Sequence, residues 1–185
     1  EMVREGCTYA VMEVSSHALE LHRVDGCRYL IGAFTNLTQD HLDFHGTMER
    51  YRQAKSKLFD RCRCGVINAD DEAGRLIAAG CGCAVTTFGI SGGDLRAERI
   101  QMGADGVAFD CGAMHIRLGI PGRFSVYNAL AAIGICKQCG VAEDVIVSAL
   151  QKAHGVKGRA EVVPCGGDYT LLIDYAHSPD GLENI

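Results

Sequence analysis

Asp40-His41-Leu42-Asp43-Phe44-His45, with Lys55 ten residues after His45, gathers imidazoles, carboxylates and an amine in one short stretch behind an apolar run. Such groups are costly to bury unless they hold a metal or one another. A second polar cluster, Glu13-Val14-Ser15-Ser16-His17, also ends an apolar run. If both runs are strands of one sheet, the clusters share a rim, because open parallel sheets bind ligands at the carboxyl ends of their strands. Glu13 at such an end can hold Mg²⁺ beside a nucleotide phosphate, since a hard cation prefers oxygen ligands. A surface glutamate at a strand terminus is the plainer alternative. His41, Asp43 and His45 recur at every second position, so an extended backbone would set them on one face, as in a metal-dependent hydrolase. A polar loop whose side chains cap nearby backbone fits the same spacing. Lysines on helices are ordinarily solvated, and Lys57 reads as that kind. Lys55 gains a role only if it faces the cluster.

These residues need elements to position them. Residues 8–14 read as a buried strand and 29–35 as another. Thr47 can cap a helix over 47–61, with Met48, Tyr51, Ala54 and Leu58 at helical spacing. A short strand at 65–68, a helix from Asp70 to Ala79 capped by Asp70 or Asp71, and a strand at 84–88 continue the alternation. This rhythm predicts an α/β fold, a mostly parallel sheet flanked by helices on both faces. From residue 94 to 120 the rhythm changes: 95–102, 106–110 and 114–118 read as short strands of a small antiparallel β appendage. Helices follow at 123–139 and 142–153. After a linker at 154–158, strands at 159–164 and 169–174 begin a further α/β unit. The organisation expected is a central domain over 1–156 and the start of a second, Rossmann-like domain over 157–185, in what reads as a piece of a longer protein.

Composition narrows the function. At 48% hydrophobic and 22% charged residues, the chain has the makings of an ordinary core. A formal net charge of −5 argues against a nucleic-acid partner, which needs a basic face. No apolar run approaches the ~20 residues that cross a bilayer. Glu1 to Gly6 lacks the apolar stretch of a signal peptide, so a cytoplasmic setting without a membrane partner is expected. Ten cysteines include Cys62-x-Cys64, Cys81-x-Cys83 and Cys136-x-x-Cys139, none a standard zinc arrangement. They read as free thiols serving as small apolar residues. The chain also has no Gly-x-x-x-x-Gly-Lys-Ser/Thr loop, so a phosphate cradle for ATP would have to come from elsewhere.

Strings along the whole chain resemble the Mur ligases of peptidoglycan synthesis. They are Glu13-Val14-Ser15-Ser16-His17-Ala18-Leu19, Arg23-Val24, Phe34 through Gly46, and Tyr51-x-x-Ala54-Lys55. Gly122-Arg123-Phe124-x-x-x-Asn128-Ala129-Leu130-Ala131-Ala132, Gly158-Arg159-Ala160-Glu161 and Asp174-Tyr175-Ala176-His177-Ser178-Pro179-Asp180 continue them in order. The Ser-Ser-His and Asp-Tyr-Ala-His strings are most similar to the members that add the third amino acid. Folylpolyglutamate synthetases share the fold and chemistry but match less well. A metal-dependent hydrolase using His41, Asp43 and His45 is the alternative from another class.

The resemblance implies an ATP-dependent amide-forming ligase with ATP and Mg²⁺ as cofactors. ATP would phosphorylate the carboxylate of UDP-MurNAc-L-Ala-D-Glu, and the amine of meso-diaminopimelate or L-lysine would displace phosphate. It also implies roles. Glu13 and His41 would hold Mg²⁺, and Lys55, carbamylated in this family, would be a third metal ligand and, with His41, catalytic. Asn128 would contact adenine, Arg159 the nucleotide phosphates and Asp174 the ribose, with His177 near the nucleotide. Ser15 and Arg23 would contact the UDP-MurNAc-dipeptide. Leu21 departs from members that carry a polar substrate contact there. The full-length enzyme is expected to be a monomer, and this chain alone inactive.

Overall fold

The computed structural model describes residues 1–39, 42–177 and 179–183. Its elements run α1 (Ser16–Glu20), β1 (Tyr29–Phe34), α2 (Leu42–His45), α3 (Met48–Ser56), β2 (Cys62–Asn68), α4 (Glu72–Gly80), β3 (Ala84–Gly89) and β4 (Leu95–Arg96). Then follow β5 (Glu98–Gly103), β6 (Gly106–Cys111), β7 (Met114–Leu118), α5 (Arg123–Gln138), α6 (Glu143–Gln151), β8 (Glu161–Val163), β9 (Leu171–Ile173) and α7 (Pro179–Glu183).

The main sheet has the order β1-β2-β3-β4, with every pairing parallel. Phe34 pairs with Ile67 and Asn68 with Phe88, so the carboxyl ends of β1, β2 and β3 align on one edge. Side chains alternate along β2, which sends Val66 and Ile67 to opposite faces, and neither is exposed. Val66 joins a core with Phe88, Val126, Leu130 and Ile133 of the α5 side. Ile67 packs with Phe34, Phe59 and Ile77 on the α4 side. Burial on both faces is the signature of an inner parallel strand, and the expected α/β fold is what the chain adopts. Gly134 lets α5 lie close on the sheet: a Cβ there would stand 2.7 Å from Val66 Cγ1.

The antiparallel strands form a second sheet, β5-β6-β7. In β7 Met114, Ile116 and Leu118 are buried while His115 and Arg117 are exposed. That alternation turns one face of the sheet inward, where Phe109 and Ile116 enter the same core as α5. The appendage is thus packed into the main core. Residues 95–102 do not make one strand. Leu95 and Arg96 extend the main sheet, and the chain passes to the second sheet at Ala97, whose amide donates to Gly89 O.

The expected strand at 8–14 is absent. Residues 9–15 have no regular structure, and Val11 is 98% exposed. An apolar run becomes a strand only where a neighbour completes its hydrogen-bond ladder, and no described strand pairs with this one. Helix 47–61 is shorter than its apolar spacing suggests: α3 ends at Ser56 and a single 3₁₀ turn spans Phe59–Arg61. Near the C-terminus β8 and β9 pair antiparallel, with Glu161 opposite Ile173.

Candidate active site

Ser15 begins the site. Its Oγ accepts from Ala18 N at 3.1 Å and caps α1. That cap fixes where the run 9–15 stops and turns, and it leaves the hydroxyl hydrogen free to donate elsewhere. The next residue, Ser16, is buried, with Oγ 2.9 Å from Nε2 of buried His45. His45 also stacks on Tyr51, ring centroids 4.8 Å apart and planes 10° apart. One imidazole therefore ties α1, α2 and α3 together, and it joins the two polar clusters seen in the sequence. His17 adds a ring contact to Phe44 at 4.1 Å.

Thr47 caps α3 through Oγ1, which accepts from Arg50 N. Lys55 then stands one turn beyond Tyr51, half-buried, with Nζ 5.3 Å from the Tyr51 ring centre and 6.0 Å from that of Phe34. Lys57, by contrast, pairs with Glu20 at 2.7 Å near the surface. Lys55, Tyr51, Phe34 and Thr35 line a cavity of about 490 Å³, and Glu13, Ser15 and Ser16 line it too. The cavity also runs along β1, an edge strand of the sheet. Its acidic and basic side chains are Glu13 and Lys55, a hard oxygen donor and an amine.

Other expected site residues lie apart from this cavity or outside the described residues. Position 41 is outside them, so the metal role expected of His41 has no geometry here. Residues 42–45 form a helical turn, which removes the shared face that an extended backbone would give: Asp43 is exposed and His45 buried. Among the described residues no group of three histidine, cysteine or acidic side chains could hold a metal ion. Arg23 is exposed just past α1 and does not line the cavity. Asn128 is exposed in the second turn of α5. Arg159 and Asp174 share the β8–β9 unit. The Asp174 carboxylate accepts from the amides of Ala160 and Ala176, both at 2.6 Å, and the Arg159 guanidinium lies 5.0 Å from the Tyr175 ring centre. His177 Nδ1 sits 2.9 Å from Tyr175 O.

By its place in the sequence Asp70 reads as a possible helix cap. Asp71 is the cap of α4, accepting from Gly74 N while its other oxygen takes Leu37 N. Asp70 instead holds the carboxyl edge of the sheet to α5. Its Oδ2 accepts from Ile90 N at 2.6 Å, Ser91 N at 3.0 Å and the Tyr127 hydroxyl at 2.9 Å. Burial by itself raises its pKa, but the bonds from Ser91, Ile90, Tyr127 and Gly92 outweigh that and hold the carboxyl below its ordinary range. The same contact, with burial first, pushes the Tyr127 hydroxyl up. Two adjacent aspartates directly after a strand were the only hint of this in the sequence.

The pattern that defines the Mur ligase middle domain matches residues 1–136. The chain belongs to the Mur ligase family. It is 43% identical, over its whole length, to the UDP-N-acetylmuramoyl-L-alanyl-D-glutamate–2,6-diaminopimelate ligase of Bacillus licheniformis, covering 41% of that protein. To the ligase of the same name from Caldanaerobacter subterraneus it is 47% identical, covering 39%. The Mur ligase chain thus spans about two fifths of the length of these curated relatives. A solved ligase of the same name superposes with a TM-score of 0.83 at 31% identity, over 97% of this chain and 39% of that one. MurF from Thermotoga maritima, solved in complex with ADP, shares the fold with a TM-score of 0.77 at 21% identity, over 88% of this chain and 39% of its own. Among the described residues no helix is long and apolar enough to cross a membrane.

Proposed function

We propose that the full-length protein is an ATP-dependent ligase joining 2,6-diaminopimelate to UDP-MurNAc-L-Ala-D-Glu. The carrying observation is that Glu13 and Lys55 line one cavity with Ser15 on its wall. The names of the relatives support the choice of substrates over a folylpolyglutamate-type reaction, and favour diaminopimelate over L-lysine. In the reaction the acceptor carboxylate takes the γ-phosphoryl group and ADP leaves. The amine nitrogen then bonds to the acyl carbon as phosphate leaves.

Bringing a carboxylate to a triphosphate sets anion against anion, so a cation is needed. Bound magnesium would neutralise charge on the phosphate oxygens. The donor set suits it: the exposed Glu13 carboxylate offers hard oxygens, and Mg²⁺ keeps several waters rather than demanding a closed cage. His41 is proposed as a further ligand. Lys55 as an ammonium would repel the cation. Addition of its neutral amine to CO₂, with loss of a proton, gives an anionic carbamate, and that is the form proposed here.

Ser15 gives its free O–H to the UDP-MurNAc-dipeptide, whose anionic part Arg23 meets beyond α1. On the nucleotide side, Asn128 faces adenine. Asp174 uses two acceptor sites on backbone amides and, as a carboxylate, retains others for a ribose hydroxyl. Arg159 meets phosphate with a guanidinium already oriented by Tyr175. The same reading takes 1–156 as central domain, 157–185 as the beginning of the next, and the enzyme as a cytoplasmic monomer.

The test uses the full-length protein with ATP, Mg²⁺, UDP-MurNAc-L-Ala-D-Glu and either diaminopimelate or L-lysine, following ADP and the amide product. Lys55→Ala is expected to lower kcat on the order of a thousandfold, the scale of losing a major electrostatic group. Enzyme prepared free of CO₂ should regain activity with bicarbonate. A fully active Lys55→Ala enzyme sinks the carbamate role, and product with L-lysine alone sinks the choice of amino acid.

A further inference from the structure

The end of the sheet opposite the candidate site carries a group of thiols that the ligase reading does not use. Cys62 and Cys64 lie on β2, Cys81 caps the end of α4, and Cys83 precedes β3. Two of the four are engaged inward. Cys62 Sγ donates to Leu58 O at 3.1 Å, and Cys64 Sγ to Leu30 O at 3.4 Å. Cys81 and Cys83 face each other instead, with sulfurs 3.3 Å apart. Gly82 between them has open space where a Cβ would stand. Cys81 also lines a small cavity of about 100 Å³ with Arg52, Ser56 and Asp60. That space admits a peroxide.

We propose that Cys81 and Cys83 form a reversible dithiol–disulfide site, oxidised by hydrogen peroxide. Cys81 thiolate attacks a peroxide oxygen, the O–O bond breaks, and hydroxide leaves to become water. The Cys83 sulfur then bonds to the Cys81 sulfenic sulfur, and a second water leaves. Two thiols and one peroxide give one disulfide and two waters. A disulfide bond of about 2.05 Å requires the sulfurs to close by about 1.2 Å from their 3.3 Å separation. Burial, first of all, pushes Cys62 up to about 12 and Cys83 up to about 11. This agrees with Cys62 as a bystander and Cys83 as the second, resolving thiol. A bond across so short a loop is strained and readily reduced, which makes the site reversible rather than a staple.

The full-length protein is treated with one equivalent of hydrogen peroxide, alkylated, digested with trypsin and weighed. Residues 76–96 emerge as one peptide holding both cysteines. That peptide is expected to carry no alkyl group and to weigh two hydrogens less than the dithiol, and to take up two alkyl groups when dithiothreitol is followed by fresh alkylating agent. In Cys83→Ser, dimedone should tag Cys81. A disulfide from either cysteine to Cys62, a peptide still doubly alkylated after peroxide, or no dimedone tag in Cys83→Ser would each overturn the proposal.

Discussion

Asp70 gathers two amides of the β3–β4 turn and the hydroxyl of Tyr127 onto one oxygen. Its folded pKa lies below the ordinary value of about 3.9. A depressed carboxylate contributes stability that is present above the ordinary value and is lost as pH falls through the folded one. Asp70→Asn should therefore be less stable than the parent at neutral pH, by about 1–3 kcal/mol for partly buried groups left unsatisfied. The gap should narrow below about pH 4. Urea melts at pH 7 and pH 3 check this, and an equal gap at both would refute the charge argument. Little of this residue's part was legible in the sequence, because its donors are backbone amides some twenty residues away. Glu13 stands out as an acid ending an apolar run, whereas Ser15 and Lys55 gain their roles only through the family resemblance, a helical lysine being ordinarily solvated. His45 stood out for its spacing with Asp43, but helical backbone gave it an inward place against Ser16 and Tyr51.

At the scale of elements, α4 shows how closely a helix can approach a strand end. Gly74 lies directly on the main chain of β2: a Cβ would stand 2.0 Å from Asn68 O. Gly74→Ala gains helix propensity of about 1 kcal/mol. It should nonetheless destabilise the protein by about 1–3 kcal/mol, because a backbone oxygen cannot move aside as a side-chain tip can. Thermal melts distinguish the signs, and a raised Tm would show that α4 shifts freely. Capped helices were the most readable elements, since Thr47 and Asp71 announce α3 and α4 by type and position. Residues 8–14 read as a strand yet form none, because apolar composition cannot say whether a pairing strand is present.

For the whole molecule, the two hydrophobic clusters meet only through the sheet, and β2 stands in its middle with neighbours on both sides. The alternation of strands and helices made that layering legible. The merging of the antiparallel sheet into the α5 core was not, because alternation marks a buried face without naming what covers it. The pairing of Val66 with one cluster and Ile67 with the other has a consequence in time. An amide of β2 meets solvent only when the strand it bonds to and the packed faces over it have come away, an opening close to global unfolding. Deuterium uptake at 64–68 should therefore be the slowest in the chain and should accelerate with urea along the slope of the equilibrium melt. The β8–β9 pair, with Leu171, Leu172 and Ile173 partly in solvent, should label first. Uptake in β2 insensitive to urea would mean that the strand opens locally. The slow exchange expected of it makes β2 the part of the chain from which all other openings are measured.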